Sequence, residues 1–509
     1  MYYALINRSP SELLRAVRDQ AFYPPVFSFF VAAAYLLTGP GLFASRIPSV
    51  LNYALLIIAL TGLTFYLARR AQMLRELNVD DVENHPGTDR FTVTGVELAL
   101  IGAFFATALT ITSMTMIRNA VLSMLEITGA LLVIPLFVLV DRADQRSGRS
   151  RMGVLLLAAV MVMILFLTKY TFGMFFGAAL AVALVSENWP WKASRHAWHE
   201  LLAVAGIFAL IAGFWVILTD RGSMTLFFIG HPSYVPFWSW DNFLFYPRIW
   251  LNDYSITAFI GVFVVILAAV EAVLNWQRLY VRLAAWSVLI ALAILTISTT
   301  NEPRHILVVA PAIWLLAALR LATIFRALIH EPYWGPKASL ALMLLLVLFL
   351  DAGIPAAEHV RPEMVTSFEG DAFFSAMQAD ALEEVDLEQP VLVIGDTNDQ
   401  FNLLALRWRA ALEMKESTWQ LDIDRYPYDQ FDWILARHNR RPQIKEIDED
   451  FPDGSLEEVL DQGYYSSVIA VRNKRRKSEL ETDTLAILES FPAFTHKYPG
   501  WEITVYKLH

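Results

Sequence analysis

The chain has 509 residues, 56% of them apolar and 18% charged, with 33 Phe, 15 Trp, no Cys and a mean hydropathy of +0.44. That composition excludes a disordered chain and argues against an ordinary soluble one, and the lack of cysteine excludes disulfides, zinc-thiolate sites and a cysteine nucleophile. The net charge of −10 is divided unevenly: residues 1–350 hold 24 Lys and Arg against 19 Asp and Glu, while residues 351–509 hold 16 against 31.

Residues 24–38 (PPVFSFFVAAAYLLT) open on two prolines and stay apolar for only 15 residues, a length that suits an interfacial or re-entrant helix better than a full span. Ten further apolar stretches follow, at 50–68, 93–112, 121–140, 152–168, 171–186, 201–219, 256–275, 284–298, 306–319 and 338–350. Their lengths approach what a bilayer requires, and in hydrocarbon a backbone must satisfy its own polar groups, so each is predicted to be a spanning helix. One set of alternate loops carries 15 Lys and Arg and the other carries 5. Cytoplasmic loops are the basic ones, which places the first set inside and the acidic tail outside.

The long outer loop at 220–255 holds Trp238, Tyr246 and Arg248 among many other aromatic residues, a composition suited to the headgroup layer or to a shelf beneath an external active site. Beyond residue 352 the composition is that of a soluble domain. Strand-like runs at 391–396, 433–436, 466–471 and 502–508 alternate with helix-like runs at 372–385, 401–414 and 479–490, predicting a small α/β domain with a mainly parallel sheet. No GxGxxG or Walker pattern surrounds Gly395-Asp396, which reads as a strand-to-helix turn. The basic run 472–477 (RNKRRK) sits in acidic surroundings and reads as a solvated loop rather than a nucleic-acid site.

Charges beside apolar spans need water, a partner or a purpose. Glu126 lies about one turn inside the third predicted span, with Arg118 just before it. A carboxylate there can position an acceptor, bind a divalent metal or assist proton transfer, or it can simply snorkel or pair with Arg118. Lys169 interrupts two apolar runs in FLTKYTFGMFF, and Arg304 and His305 stand immediately outside another span in NEPRHILVVAPAIW. With Arg248, these cations are suited to holding a lipid phosphate through charge-assisted hydrogen bonds. Glu97 and Glu271 fall near cytoplasmic ends and are expected to snorkel.

Several of these features in order resemble one family. The run from Tyr23 and Pro24 through SRIPS to ARR is similar to the PPLxY…xxRLPS…ARR block of the GT-C glycosyltransferases, within them the dolichyl-phosphate-mannose protein mannosyltransferases and lipid A aminoarabinose transferases. An outer Arg and acid before a span (MIRNAVLSMLE), a TKYT turn and the RHILVVAP segment follow in the family's order. The resemblance covers about residues 1–350 and implies an α-helical polytopic membrane protein of GT-C type, with a small C-terminal extracytoplasmic α/β domain, in the cytoplasmic (inner) membrane. It implies transfer of a sugar from a polyprenyl phosphate to a hydroxyl of a protein, lipid or glycan acceptor at the outer face.

By position Glu126 matches the family's second acid, and Lys169, Arg304, Arg248 and Arg118 become candidates for donor-phosphate contact. Tyr23, Pro24, His305, Trp238 and Tyr246 are candidates to line the cavity. No cofactor is required with certainty; a divalent metal is compatible with the acid, and no nucleic-acid partner is expected. The family's first span precedes an Asp-Glu pair just ahead of a YYA-like stretch, whereas this chain opens at Met1-Tyr2-Tyr3-Ala4. The resemblance therefore implies either a longer protein carrying that acid or a relative without it, since Glu12 and Asp19 do not hold its position. The expected organisation is an outer-face segment at 1–49, a transmembrane region at 50–352 and the soluble domain at 353–509. The competing readings are a transporter or flippase of lipid-linked glycan and a non-catalytic relative. Flippases of that kind often show internal repeats and midplane charges, which this sequence lacks.

Overall fold

The computed structural model describes residues 10–18, 24–39, 42–80, 91–121, 124–186, 195–219, 238–253, 258–298, 303–330, 376–385, 391–395, 431–434, 466–473, 488–499 and 501–508, together with a few single positions. The chain divides into two compact units, Met1–Pro362 and Glu363–His509.

The first unit is built from helices: α1 (Pro10–Arg18), α2 (Val26–Thr38), α3 (Leu42–Asp80), α4 (Phe91–Ile111), α5 (Met114–Val121), α6 (Leu125–Asp144), α7 (Gly148–Phe166), α8 (Tyr170–Val185), α9 (Arg195–Leu218), α10 (Trp240–Asp253), α11 (Ala258–Leu274), α12 (Leu279–Ser298), a 3₁₀ turn (Pro303–Val309) and α13 (Ala310–His330). Among the described residues, Ala44–Gln72, Gly148–Phe166, Ala197–Leu218, Leu279–Ile297 and Pro303–Ile329 are long and apolar enough to cross a membrane. Val96–Ile111 and Met114–Val121 pass together but are bent by 61°. The stretches at 171–186 and 256–275 form shorter apolar helices, and the stretch at 338–350 falls almost wholly outside the described residues. The segment at 24–38 forms α2, whose 13 residues reach about 20 Å, less than the hydrocarbon thickness. Helix α3 begins eight residues ahead of the predicted span, at Leu42, and carries Arg46 and Pro48 inside it.

Helix α13 is the centre of this unit, with 89% of its most apolar stretch buried, whereas α9 has 11% buried and turns Leu202, Leu210, Phe214 and Ile217 outward. An outward apolar face is stable against hydrocarbon rather than water. Short polar ties sit within the apolar packing: Thr61 shares a hydroxyl hydrogen bond of 2.6 Å with Thr107, and the Tyr53 hydroxyl donates to the Thr110 carbonyl at 3.0 Å, fixing α3 along α4.

One end of the bundle is tied by charge. Asp141, fully buried near the end of α6, accepts from Arg70 of α3 and, at 2.7 Å, from Gln145 Nε2. The Leu279 N–H donates to Asp144 Oδ2 at 2.6 Å, and Arg151 Nε donates to Glu200 Oε1 at 2.6 Å. Arg282, 1% exposed, donates to the carbonyls of Ala183, Trp276 and Gln277 at 2.9, 3.1 and 3.0 Å, respectively. Glu271 does not snorkel: it is buried, its Oε1 accepts from Asn275 Nδ2 at 2.8 Å, and with Arg70, Asp141, Arg278 and Tyr280 it lines a small polar cavity. Glu97 is half-buried.

The second unit holds a five-stranded sheet of β1 (Val391–Gly395), β2 (Phe431–Ile434), β3 (Ser467–Asn473), β4 (Ala493–Tyr498) and β5 (Trp501–Lys507), in the order β2-β1-β3-β5-β4. The first three strands are parallel, with Val391 opposite both Phe431 and Ser467. The last two form an antiparallel hairpin, with Tyr498 opposite Trp501. The sequence reading therefore overstated the parallel character, because β4 (AFTHKY) is a mostly exposed strand without the apolar run that marks β1 and β3. A helical stretch over 376–383 buries Met377, Ala381 and Leu382 against Ile469, Ile503 and Val505. The predicted helix at 401–414 lies outside the described residues. Tyr498 donates its hydroxyl to Asp380, and burial, reinforced by that carboxylate, pushes its phenol above the ordinary tyrosine range.

Candidate functional site

At the end of α6 opposite Asp141, three polar side chains from distant parts of the sequence meet. Lys169 Nζ donates to Glu126 Oε1 at 2.8 Å, and Arg304 Nε stands 3.9 Å from the same oxygen. Glu126 is 2% exposed and Lys169 5%, while the Arg304 side chain keeps 33% of its surface open. The other carboxylate oxygen, Glu126 Oε2, is buried and has no hydrogen-bond partner among the described residues. Both ends of α6 thus carry buried carboxylates, separated by about 22 Å along the helix.

Local geometry explains the meeting. After α7 the chain turns within three residues, Leu167, Thr168 and Lys169: the Thr168 and Lys169 N–H groups both reach the Leu165 carbonyl, at 3.1 and 3.0 Å. Lys169 is extended at φ −156° and caps α8, its carbonyl accepting from the Phe172 N–H at 2.9 Å. So tight a reversal brings α8 back against α7, and Gly173 permits it, because a Cβ there would stand 2.3 Å from Phe166 Cβ and 2.6 Å from its Cα. Gly129 does the same between α6 and α8, where a Cβ would fall 2.5 Å from the Phe172 ring. These close approaches bring Lys169 to the first turn of α6, which carries Glu126.

The helix α6 is held at this end by α3, through Asn52 Nδ2 donating to Thr128 Oγ1 at 2.7 Å and Ser49 Oγ donating to the Met124 carbonyl at 3.2 Å. Arg304, in the 3₁₀ turn before α13, also donates to Met124 Sδ at 3.4 Å. Three helices therefore begin around the cluster, α6 at Leu125, α8 at Tyr170 and the 3₁₀ turn with α13 at Pro303. Helix N-termini present free N–H groups and a positive dipole end, so two cations and these termini together favour an anion. The Val26 N–H donates to the Leu167 carbonyl at 3.1 Å, which sets the start of α2 and the buried Pro24 beside the Lys169 turn.

The remaining candidates are spread more widely. His305 is half-buried next to Arg304, and Arg118 is exposed in the last turn of α5. Arg248 is paired at 3.2 Å with Asp241 on α10, both well exposed, and it takes no part in the Glu126 cluster. Tyr246 is 1% exposed and packs edge-on to Phe245, whereas Trp238 is 81% exposed. Tyr23 and residues 220–237 lie outside the described residues. Among those described, no three His, Asp or Glu side chains gather as a metal site. Ser49, Asn52, Thr128 and Met124 escaped the sequence reading, although Ser49 and Asn52, three apart on one face of an apolar helix, were a usable signal.

The sequence matches no protein-family model and no curated protein. In fold the chain is similar to ArnT, an aminoarabinose transferase from Cupriavidus metallidurans, in the crystal structure bound to undecaprenyl phosphate. The TM-score is 0.54, with 13% identity over 95% of this chain and 88% of that one. The apo-state crystal structure of ArnT gives 0.53, also at 13% identity, over 95% and 87%. The chain thus has the GT-C fold, an assembly of apolar helices with a small sheet near the C-terminus.

Proposed function

We propose that the chain is a multi-pass glycosyltransferase of the cell membrane that moves a sugar from a polyprenyl phosphate to an acceptor hydroxyl at the Glu126–Lys169–Arg304 cluster, with the second unit outside the cytoplasm. The observation that carries this reading is the convergence of two cations on one buried carboxylate among three helix starts. It is supported by a fold shared with a protein crystallised with undecaprenyl phosphate.

In the reaction the acceptor oxygen attacks the anomeric carbon and the bond from that carbon to the phosphate oxygen breaks, its electron pair staying on the phosphate. The acceptor proton passes to a carboxylate, for which Glu126 Oε2 is the oxygen at the cluster without a partner among the described residues. Arg304, partly open, and Lys169 stabilise the charge that grows on the leaving phosphate, as fixed donors do where charge develops. A lipid-borne donor is consistent with a catalyst embedded in the bilayer.

The test is binding of undecaprenyl phosphate to the purified full chain in lipid nanodiscs. Arg304→Gln is expected to weaken binding roughly tenfold or more, the scale of a lost charge-assisted contact. Binding equal in wild type and Arg304→Gln would remove the phosphate site from this cluster, and absence of binding to the wild type would remove the donor class.

A further inference from the structure

We infer that Glu126 makes the site discriminate between donor and spent carrier by charge, weakening its hold on the carrier once the sugar has left. This rests on the phosphate-site reading above. The cluster of Lys169, Arg304 and Glu126 carries one net positive charge, because both cations face a single carboxylate oxygen. A polyprenyl phosphosugar is a phosphodiester with one negative charge at any pH near neutrality. The polyprenyl phosphate left after transfer is a monoester, whose second ionisation falls near pH 6, so that at pH 8 it carries close to two. The cluster therefore matches the donor charge for charge and, once Glu126 has passed on the proton it took from the acceptor, leaves the product one negative charge in excess.

That excess matters because the site is dry. Glu126 and Lys169 are almost wholly buried, and the cost of taking an ion from water rises steeply with its charge, so a dianion needs more compensation than the cluster supplies. A carboxylate with one oxygen on the cations and the other unpartnered among the described residues is the group that withholds it. Among the described residues, the other charged or titratable groups on elements packed around the cluster include Arg46 on α3, Arg118 on α5, Tyr170 on α8 and His305 beside Arg304. All of them are common to wild type and variant, so the comparison reads the removal of one carboxylate charge at Glu126.

The experiment uses the full chain in nanodiscs, undecaprenyl phosphate as the monoester and its methyl ester as the diester, and reads the ratio of the two affinities. Glu126→Gln should raise the monoester-to-diester ratio roughly tenfold or more at pH 8, the scale of one charge acting across a partly desolvated site. At pH 5 both ligands are monoanions and the change should vanish. Glu126→Asp, which keeps the charge, should hold the wild-type ratio. Should Glu126→Gln not fold, the wild type alone decides: its monoester-to-diester ratio should fall from pH 5 to pH 8, and an unchanged or rising ratio would show that it accepts the dianion freely. An unchanged ratio in Glu126→Gln, with both ligands bound by wild type, overturns this inference and leaves the phosphate site standing. Failure of the wild type to bind either ligand overturns the function itself.

Discussion

The two ends of helix α6 carry buried carboxylates in opposite conditions. At one end Asp141 accepts from Arg70 and Gln145, with Asp144, Arg151, Glu200, Glu271 and Arg282 each engaged nearby by ion pairs or hydrogen bonds. At the other, Glu126 gives one oxygen to two cations and keeps the second without a partner among the described residues. Burial alone does not distinguish these ends, since Asp141 and Glu126 are equally enclosed. The distinction is satisfaction: a buried polar network whose members are all paired holds helices in register, while one with an unpaired oxygen and a partly open guanidinium has capacity left for a ligand.

The largest test of that contrast is Asp141→Ala. It leaves Arg70 without its buried carboxylate and takes from Gln145 its acceptor at 2.7 Å, so unfolding followed by heat or denaturant should show a loss of about 3–5 kcal/mol, with undecaprenyl phosphate affinity of the remaining folded protein unchanged. A comparable loss of affinity would mean that the two ends are coupled. Next in size is Gly173→Ala, which forces a methyl group into Phe166. Overpacking of that kind costs about 1–3 kcal/mol, and because it pushes α8 away from α7 it should also loosen Lys169 from Glu126 and weaken phosphate binding; normal binding would show that Lys169 is placed without the close helix approach. The smallest effect belongs to Arg248→Ala. Its pair with Asp241 is open to water, so melting should shift by no more than about 0.5 kcal/mol, and a larger loss would show that Arg248 has a role beyond this pair.

Much of the Glu126 end of α6 was legible in the sequence, and little of the other. Glu126, Lys169 and Arg304 stood out because each interrupts or borders an apolar run on the same predicted side, and loop charge placed them together although 43 residues separate the first two. What tied them was not legible. Nothing in FLTKYTFG states that Gly173 must lie against the Phe166 backbone, since that is a property of two helices after they pack. Glu271 looked like a snorkelling charge because sequence shows distance from a span end and not a partner such as Asn275. The start of α3 was placed late for a related reason: Arg46 and Pro48 resemble a loop, yet the helix runs through both. In the second unit the apolar strands were visible, whereas the outer strand of the hairpin, mostly exposed, carried no pattern to find.

The bend between α4 and α5 separates what apolarity sets from what side-chain hydroxyls set. Residues 96–121 pass as one apolar span by length and composition, although the finished helices diverge by 61°. An insertion machinery that weighs apolarity along a stretch receives this segment as a single straight span. The bend lies where Thr112 returns its hydroxyl to the Ala108 carbonyl and Tyr53 of α3 reaches the Thr110 carbonyl. Apolarity thus marks the length of this segment while a few hydroxyl groups sit at its angle, so substitutions at those hydroxyls act on the bend and leave the apolarity of residues 96–121 unchanged.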